Sequence, residues 1–507
     1  MKKLSKLKII ILLGAYISIH AGVAYAEDLY GTFPAGFNLI NLNGTNGFAT
    51  NGMHPQDGGG DTGSSIGDVN GDGIDDIIIG APNANNGAGQ SYVVFGSKKP
   101  WSKSINLTNL DGSNGFAING VHAYDTSGIV SGAGDVNGDG IDDIVIGANG
   151  ANNTGQSYVV FGSKKAWPAA MNLADLNGNN GFAMNGINLG DGCGGSVSGA
   201  GDVNGDGIDD ILIGAPGANN VAGQSYIVFG SKEAWPEAID LADLNGSNGF
   251  SINGIKPGDA SGFSVSGAGD VNGDGIDDIL IGAPRVRAPG GQKQSYVVFG
   301  SKQAWPSASF NLIDLNGNNG FAINDNDPNS LIGFSISRAE DVNADGIDDI
   351  IIGAPGSNNQ TGYVIFGSKA SWPSAINLQY INGNNGFAII GINPLDGCGG
   401  SVSGVSDVNG DGIADVLIGA NGANNARGQS YVVFGNKGPW PVNISLYLLN
   451  GTNGFAINGI NPQDFSSQSV SGAGDINGDG IDDILIGAPG AGQSYVIFGQ
   501  RPLPNKP

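Results

Sequence analysis

Asp202-Val203-Asn204-Gly205-Asp206-Gly207-Ile208-Asp209-Asp210 packs four carboxylates and a carboxamide into nine residues. Side-chain oxygens fall on the first, third, fifth and ninth residues. Glycine at the sixth permits a sharp turn, and the seventh can offer its carbonyl. Hard oxygen donors wrapped by a tight loop suit Ca²⁺, which takes about six to eight oxygens, better than Mg²⁺, which prefers fewer protein ligands in strict octahedral geometry. The loop occurs seven times. The candidate donors are Asp68, Asn70, Asp72, Ile74 and Asp76; Asp135, Asn137, Asp139, Ile141 and Asp143; Asp202, Asn204, Asp206, Ile208 and Asp210; Asp270, Asn272, Asp274, Ile276 and Asp278; Asp341, Asn343, Asp345, Ile347 and Asp349; Asp407, Asn409, Asp411, Ile413 and Asp415; and Asp475, Asn477, Asp479, Ile481 and Asp483. Asx turns facing water leave unexplained why three carboxylates converge in every copy against their mutual repulsion. Up to seven Ca²⁺ are therefore expected, one per loop.

The copies form an internal mutation series. The first, third, fifth, sixth and ninth positions never change, whereas the eighth becomes Ala414 and the fourth becomes Ala344. The ninth residue is thus the expected ligand and the eighth an accessory. An EF-hand would need a bidentate glutamate at the twelfth residue and flanking helices. Here the twelfth is isoleucine throughout, from Ile79 to Ile486, inside a run that reads as a strand.

The elements that must carry these loops recur with them. Successive motifs start 67, 67, 68, 71, 66 and 68 residues apart, a fixed long period that signals a propeller, solenoid or array. The third unit holds the short apolar runs SVSGA (196–200), DILIGA (210–215), SYIVFG (225–230) and GFSING (249–254), each bounded by turn formers. Four strands per unit match a propeller blade. The first copy of the fourth run, Gly47-Phe48-Ala49-Thr50, precedes the first acidic motif, and no such run follows Gly499. The reading is an all-β fold: a seven-bladed β-propeller of four-stranded antiparallel blades, closed by an N-terminal outer strand from residues 37–52. Trp101, Trp167, Trp235, Trp305, Trp372 and Trp440 follow each third strand in a fixed frame, with Phe33 in the equivalent place before the first unit. Packing of the linker between blades is favoured over a sugar platform.

The units resemble FG-GAP repeats, the modules of the integrin α-subunit N-terminal propeller, on SGFSVSGAGDVNGDGIDDILIGAP (261–284) followed by SYVVFG (295–300). The resemblance covers essentially the whole chain after residue 26. It implies Ca²⁺ in the hairpin between first and second strands, ring closure by an N-terminal outer strand, and extracellular recognition or adhesion. Gly-Ala-Asn stands for Gly-Ala-Pro at 147–149 and 419–421, and Phe263 is matched only by Phe334. All seven loops are kept, whereas integrins keep only some.

Lys2, Lys3, Lys6 and Lys8, the apolar run from Ile9 to Ile19 and Ala24-Tyr25-Ala26 read as an export signal over residues 1–26. The propeller is expected over 27–500, with a short tail at 501–507. The expected mature protein is a secreted monomer without a membrane span, at the cell surface or in the periplasm as alternatives. Losing four lysines and no acid takes the net charge from −25 to −29, which excludes a nucleic-acid partner. Cys193 and Cys398 occupy matching frames three blades apart, too far for a bridge, and are expected as buried thiols. His54 and His122 sit at variable frames, and no catalytic set, zinc motif or phosphate loop is present. A non-enzymatic binder of an extracellular protein or glycan is the leading expectation. A calcium-dependent hydrolase or lyase and a glycan-binding lectin are the alternatives. The loop from Ala283 to Gln294 departs from its siblings, and its Arg285, Arg287 and Lys293 form a candidate partner-binding island on the face opposite the acidic loops.

Overall fold

Asp210–Ala215 is buried at every residue, whereas Ser196–Gly201 is only partly buried. That contrast fixes their places. A strand covered on both faces belongs inside a stack of sheets, and a serine- and glycine-rich strand belongs at the ring's centre, where neighbouring backbones crowd. In the computed structural model, which describes residues 33–284, 293–303, 305, 308–327, 329–357 and 361–501, the described strands form seven sheets of one pattern. In the third blade Ser196–Gly201 is innermost, followed outward by Asp210–Ala215, Gln224–Val228 and Gly249–Asn253, all antiparallel. The ring is a seven-bladed β-propeller.

Each sheet also carries a fifth strand, three residues long and parallel to the outer one. For the third blade it is Ser309–Asn311, supplied by the linker of the fourth unit. Every linker therefore runs back to stitch its own blade to the one before. The tryptophans complete the stitch. Trp235 lies face to face on Phe182 of the second blade at 4.1 Å and 5°, and its indole N–H donates to the Ser231 carbonyl at 3.1 Å. All six tryptophans stack this way. Phe33 takes the seventh place, 4.0 Å from Phe455.

The two ends of the chain meet through two strands. Gly47–Asn51 pairs antiparallel with Gln493–Ile497 as the outer strand of the last blade, and Gly36–Asn38 pairs parallel with Gly454–Asn458 as the fifth strand of the sixth. The apolar core lies between blades: Phe182 and Met184 of the second pack with Ile211 and Ile213 of the third, around the buried Cys193. Cys398 has the same place between the fifth and sixth blades, and both cysteines are buried thiols rather than a disulfide.

Candidate metal centres

The acidic loop closes the hairpin between the first and second strands. Its first carboxylate organises the turn: Asp202 Oδ1 accepts from the Asp206 N–H at 3.0 Å and Oδ2 from the Gly207 N–H at 2.7 Å. The fifth, Asp206, accepts from the Ile208 N–H at 3.0 Å. Both contacts of the first residue and that of the fifth recur in all seven loops.

The ninth residue is of another kind. Asp76, Asp143, Asp210, Asp278, Asp349, Asp415 and Asp483 are all 0% exposed. Asp210 accepts from the Gly230 N–H at 2.8 Å and the Val203 N–H at 3.0 Å. Gly230 lies two residues beyond the third strand, which ends at Val228, and a Cβ there would strike the Asp209 carbonyl. A glycine at this point lets the strand end come close enough to bond the buried acid. Burial, with repulsion from the first and fifth carboxylates, pushes Asp76, Asp143, Asp210 and Asp349 to about 8 and Asp483 to about 9. Asp278 and Asp415 are held well above the ordinary carboxylate range by the same causes.

The donor set fits a hard cation. Each loop offers two aspartates and an asparagine around a third, buried aspartate whose charge needs a counterion. In the fifth loop Asn343 Oδ1, the third-position oxygen, is buried with no hydrogen-bond partner. Among the described residues no three acidic, histidine or cysteine side chains converge as a ready-made metal cluster. The loop carboxylates turn instead to backbone N–H groups.

The eighth residue has a different task, one missed in the sequence. Asp209 Oδ2 accepts from the backbone N–H of Asp135, the first residue of the preceding blade's loop, at 2.8 Å. Asp142, Asp277, Asp348, Asp482 and Asp75 do the same for Asp68, Asp202, Asp270, Asp407 and Asp475. These clasps run head to tail and cross the join of the chain ends. Partial burial raises Asp142, Asp209 and Asp277, and with neighbouring acids brings Asp482 to about 6. At five of the six clasped junctions the residue before the loop is a glycine whose Cβ would collide with this carboxylate, as at Gly201 against Asp277; at the sixth, Ser406 stands before the loop and the clasp is longer, at 3.3 Å. A signal in the sequence was a paired exception. Glu340 replaces that glycine in the fifth unit, and Ala414 replaces the facing aspartate in the sixth. Basic residues add a second layer: the stems of Lys164, Lys232, Lys302, Lys369, Arg501 and Lys98 lie across the fourth-position glycine of the preceding loop.

A second set of buried acids was also missed. Asp125, Asp191, Asp259 and Asp464, on the linkers between blades, each accept from the backbone N–H three residues earlier. They cap turns on the opposite face. Of the candidate partner island, Arg285 and Arg287 lie outside the described residues. Lys293 is half-buried at the start of a strand, opposite Asp325. Among the described residues no helix is long and apolar enough to cross a membrane.

The FG-GAP repeat family matches seven segments: 60–94, 127–160, 194–228, 261–298, 333–366, 399–433 and 468–497. Relatives include integrin alpha pat-2 of Caenorhabditis elegans, 33% identical over 235 residues, 43% of this chain and 17% of that protein. Phosphatidylinositol-glycan-specific phospholipase D of Bos taurus is 33% identical over 209 residues, 38% of this chain and 23% of the relative. The enzyme of that name from Dictyostelium discoideum is 27% identical over 345 residues, 62% and 34%. The chain thus spans about a third or less of these relatives' own length. Seven matches spread around the whole ring, each holding one acidic loop between its first two strands, make this chain an FG-GAP repeat protein of the integrin alpha-like kind.

Proposed function

We propose that the protein is a secreted calcium-binding propeller that acts in extracellular recognition or adhesion, with up to seven Ca²⁺ held by the first, third, fifth and ninth side chains and the seventh carbonyl of the loops. The observation that carries this reading is the fully buried ninth aspartate, seven times repeated, beside two further carboxylates. Ca²⁺ would neutralise that charge and stiffen the hairpins, and the chain's own part is to hold the oxygens in place. Seven ions would also bring the net charge of −29 to −15. The ligand is an extracellular protein or glycan, and Arg285 and Arg287 remain candidates for holding a carboxylate or sulfate bidentately. The test has two arms. Excess chelator should lower the melting temperature, and calcium at roughly 0.1–1 mM should restore it; an unchanged melt rejects the metal. A glycan and matrix-protein array on the calcium-loaded protein then tests recognition.

The phospholipase D relatives support hydrolysis as a second reading. It is tested by incubating the calcium-loaded protein with a phosphatidylinositol-glycan substrate and measuring phosphatidic acid release.

A further inference from the structure

The seven blade junctions are not equally fastened, and the weak one is not where the chain ends meet. At six junctions an eighth-position carboxylate clasps the preceding loop. Between the fifth and sixth blades that residue is Ala414, and among the described residues no carboxylate of the sixth blade reaches the Asp341 N–H. Its substitute is one hydrogen bond from Ser406 Oγ to Glu340 Oε1 at 2.6 Å. The fourth position of the loop on the fifth blade's side of this junction is Ala344, where the other six loops have glycine.

The outer rim is short of ties at the same junction. Where the fifth strand joins the preceding blade, an amide side chain crosses at four of the seven junctions: Asn119 to Asn172 at 3.0 Å, Asn185 to Asp240 at 2.7 Å, Asn253 to Asn311 at 3.1 Å and Asn458 to Asn38 at 3.1 Å. Between the fifth and sixth blades Ile390 faces Ser445. The linker's Trp440 still stacks on Phe387, but its buried indole N–H has no partner, as with Trp305. Trp101, Trp167, Trp235 and Trp372 each donate to a carbonyl. Among the described residues the chain-end junction lacks the amide tie as well and its outer strand pairs over only three residues, but it keeps the Asp475–Asp75 clasp.

We propose that the junction between the fifth and sixth blades is the seam at which the native ring opens, ahead of the join between the chain ends. Local opening follows the weakest set of contacts, and here the inner clasp and the outer amide tie are lost together. Opening there parts the cluster that holds Ala339, Val364 and Phe387 of the fifth blade against Val416 and Tyr431 of the sixth. The inner strands keep two hydrogen bonds across the seam, from the Val402 and Gly404 N–H groups to Ser335 and Ser337. The opening therefore hinges at the channel and gapes at the rim.

The chain carries its own matched probes. Cys398 lies in the core of this junction and Cys193 in that of the clasped junction between the second and third blades; each is 1% exposed, and burial pushes both thiols to about 12. Alkylation of the folded full-length chain with iodoacetamide, followed by peptide mass spectrometry, should modify Cys398 at least about tenfold faster than Cys193, the effect of one charge-assisted hydrogen bond on a local opening equilibrium. Glu340→Gly with Ala414→Asp rebuilds the clasp and should slow Cys398 alone. Asp209→Ala copies the natural state of Ala414 at the other junction and should speed Cys193 alone, which keeps the test open if the rebuilt variant does not fold. Equal wild-type rates, a Cys398 rate indifferent to the rebuilt clasp, or a Cys193 rate indifferent to Asp209→Ala would each overturn the seam.

Discussion

Asp209 and Asp210 are adjacent in sequence and point to different duties. Asp210 is sealed beneath the loop with two backbone donors, and Asp209 reaches into the neighbouring blade. Asp210→Ala should remove one metal from the stoichiometry measured by elemental analysis, and should cost about 1–3 kcal/mol through the orphaned N–H groups of Val203 and Gly230. Asp209→Ala should leave the metal count unchanged and lower only the melting temperature. Equal metal loss from both would sink the ligand assignment. That the ninth position differs in kind from the eighth was legible because it never varies and the eighth does, at Ala414. The eighth residue's own task was not legible, because its partner lies 74 residues away in another unit and a repeat aligned to itself hides contacts between repeats.

The strands inside each blade were legible because their alternation and turn residues are local. The fifth strand was not: three residues such as Ser309–Asn311 carry too little pattern to stand out, and only the returning linker gives them a partner. The bland-looking Ala-Asn-Asn turns also concealed a conformation. Asn219 and Asn220 both take positive φ, at 53° and 58°, which asparagine tolerates better than most residues. The tryptophan frame was readable as packing, and Phe33 supplies a natural experiment on it. Because phenylalanine already fills one of the seven stacks, Trp235→Phe should cost under about 1.5 kcal/mol. Trp235→Ala should cost about 3–5 kcal/mol by stripping Phe182 of its cover. Chemical denaturation of the two variants, with unfolding followed at both temperature and denaturant midpoints, checks the difference.

Across the whole ring the seven buried aspartates should make stability depend on pH, and on the proposed calcium reading the direction of that dependence should reverse when the ion binds. Without the ion their folded-state pKa values, about 8 to 9 where the shift has a value, stand above the ordinary 3.8. The folded state then holds more protons than the unfolded one, so stability is greatest below about pH 4 on this count and falls as pH rises toward 8. With calcium bound, the ionised form is the one retained, and stability should hold or rise over the same window. Melting curves at pH 5 and pH 8, in chelator and in millimolar calcium, should therefore diverge; parallel trends would contradict the buried-charge account. The double closure has a consequence in time rather than space. Gly36–Asn38 and Gly47–Asn51 leave the ribosome roughly four hundred residues before their partners at Gly454–Asn458 and Gln493–Ile497. A chain that is still emerging can stack its blades but cannot become a circle, and its earliest strands must wait, unpaired, for its latest.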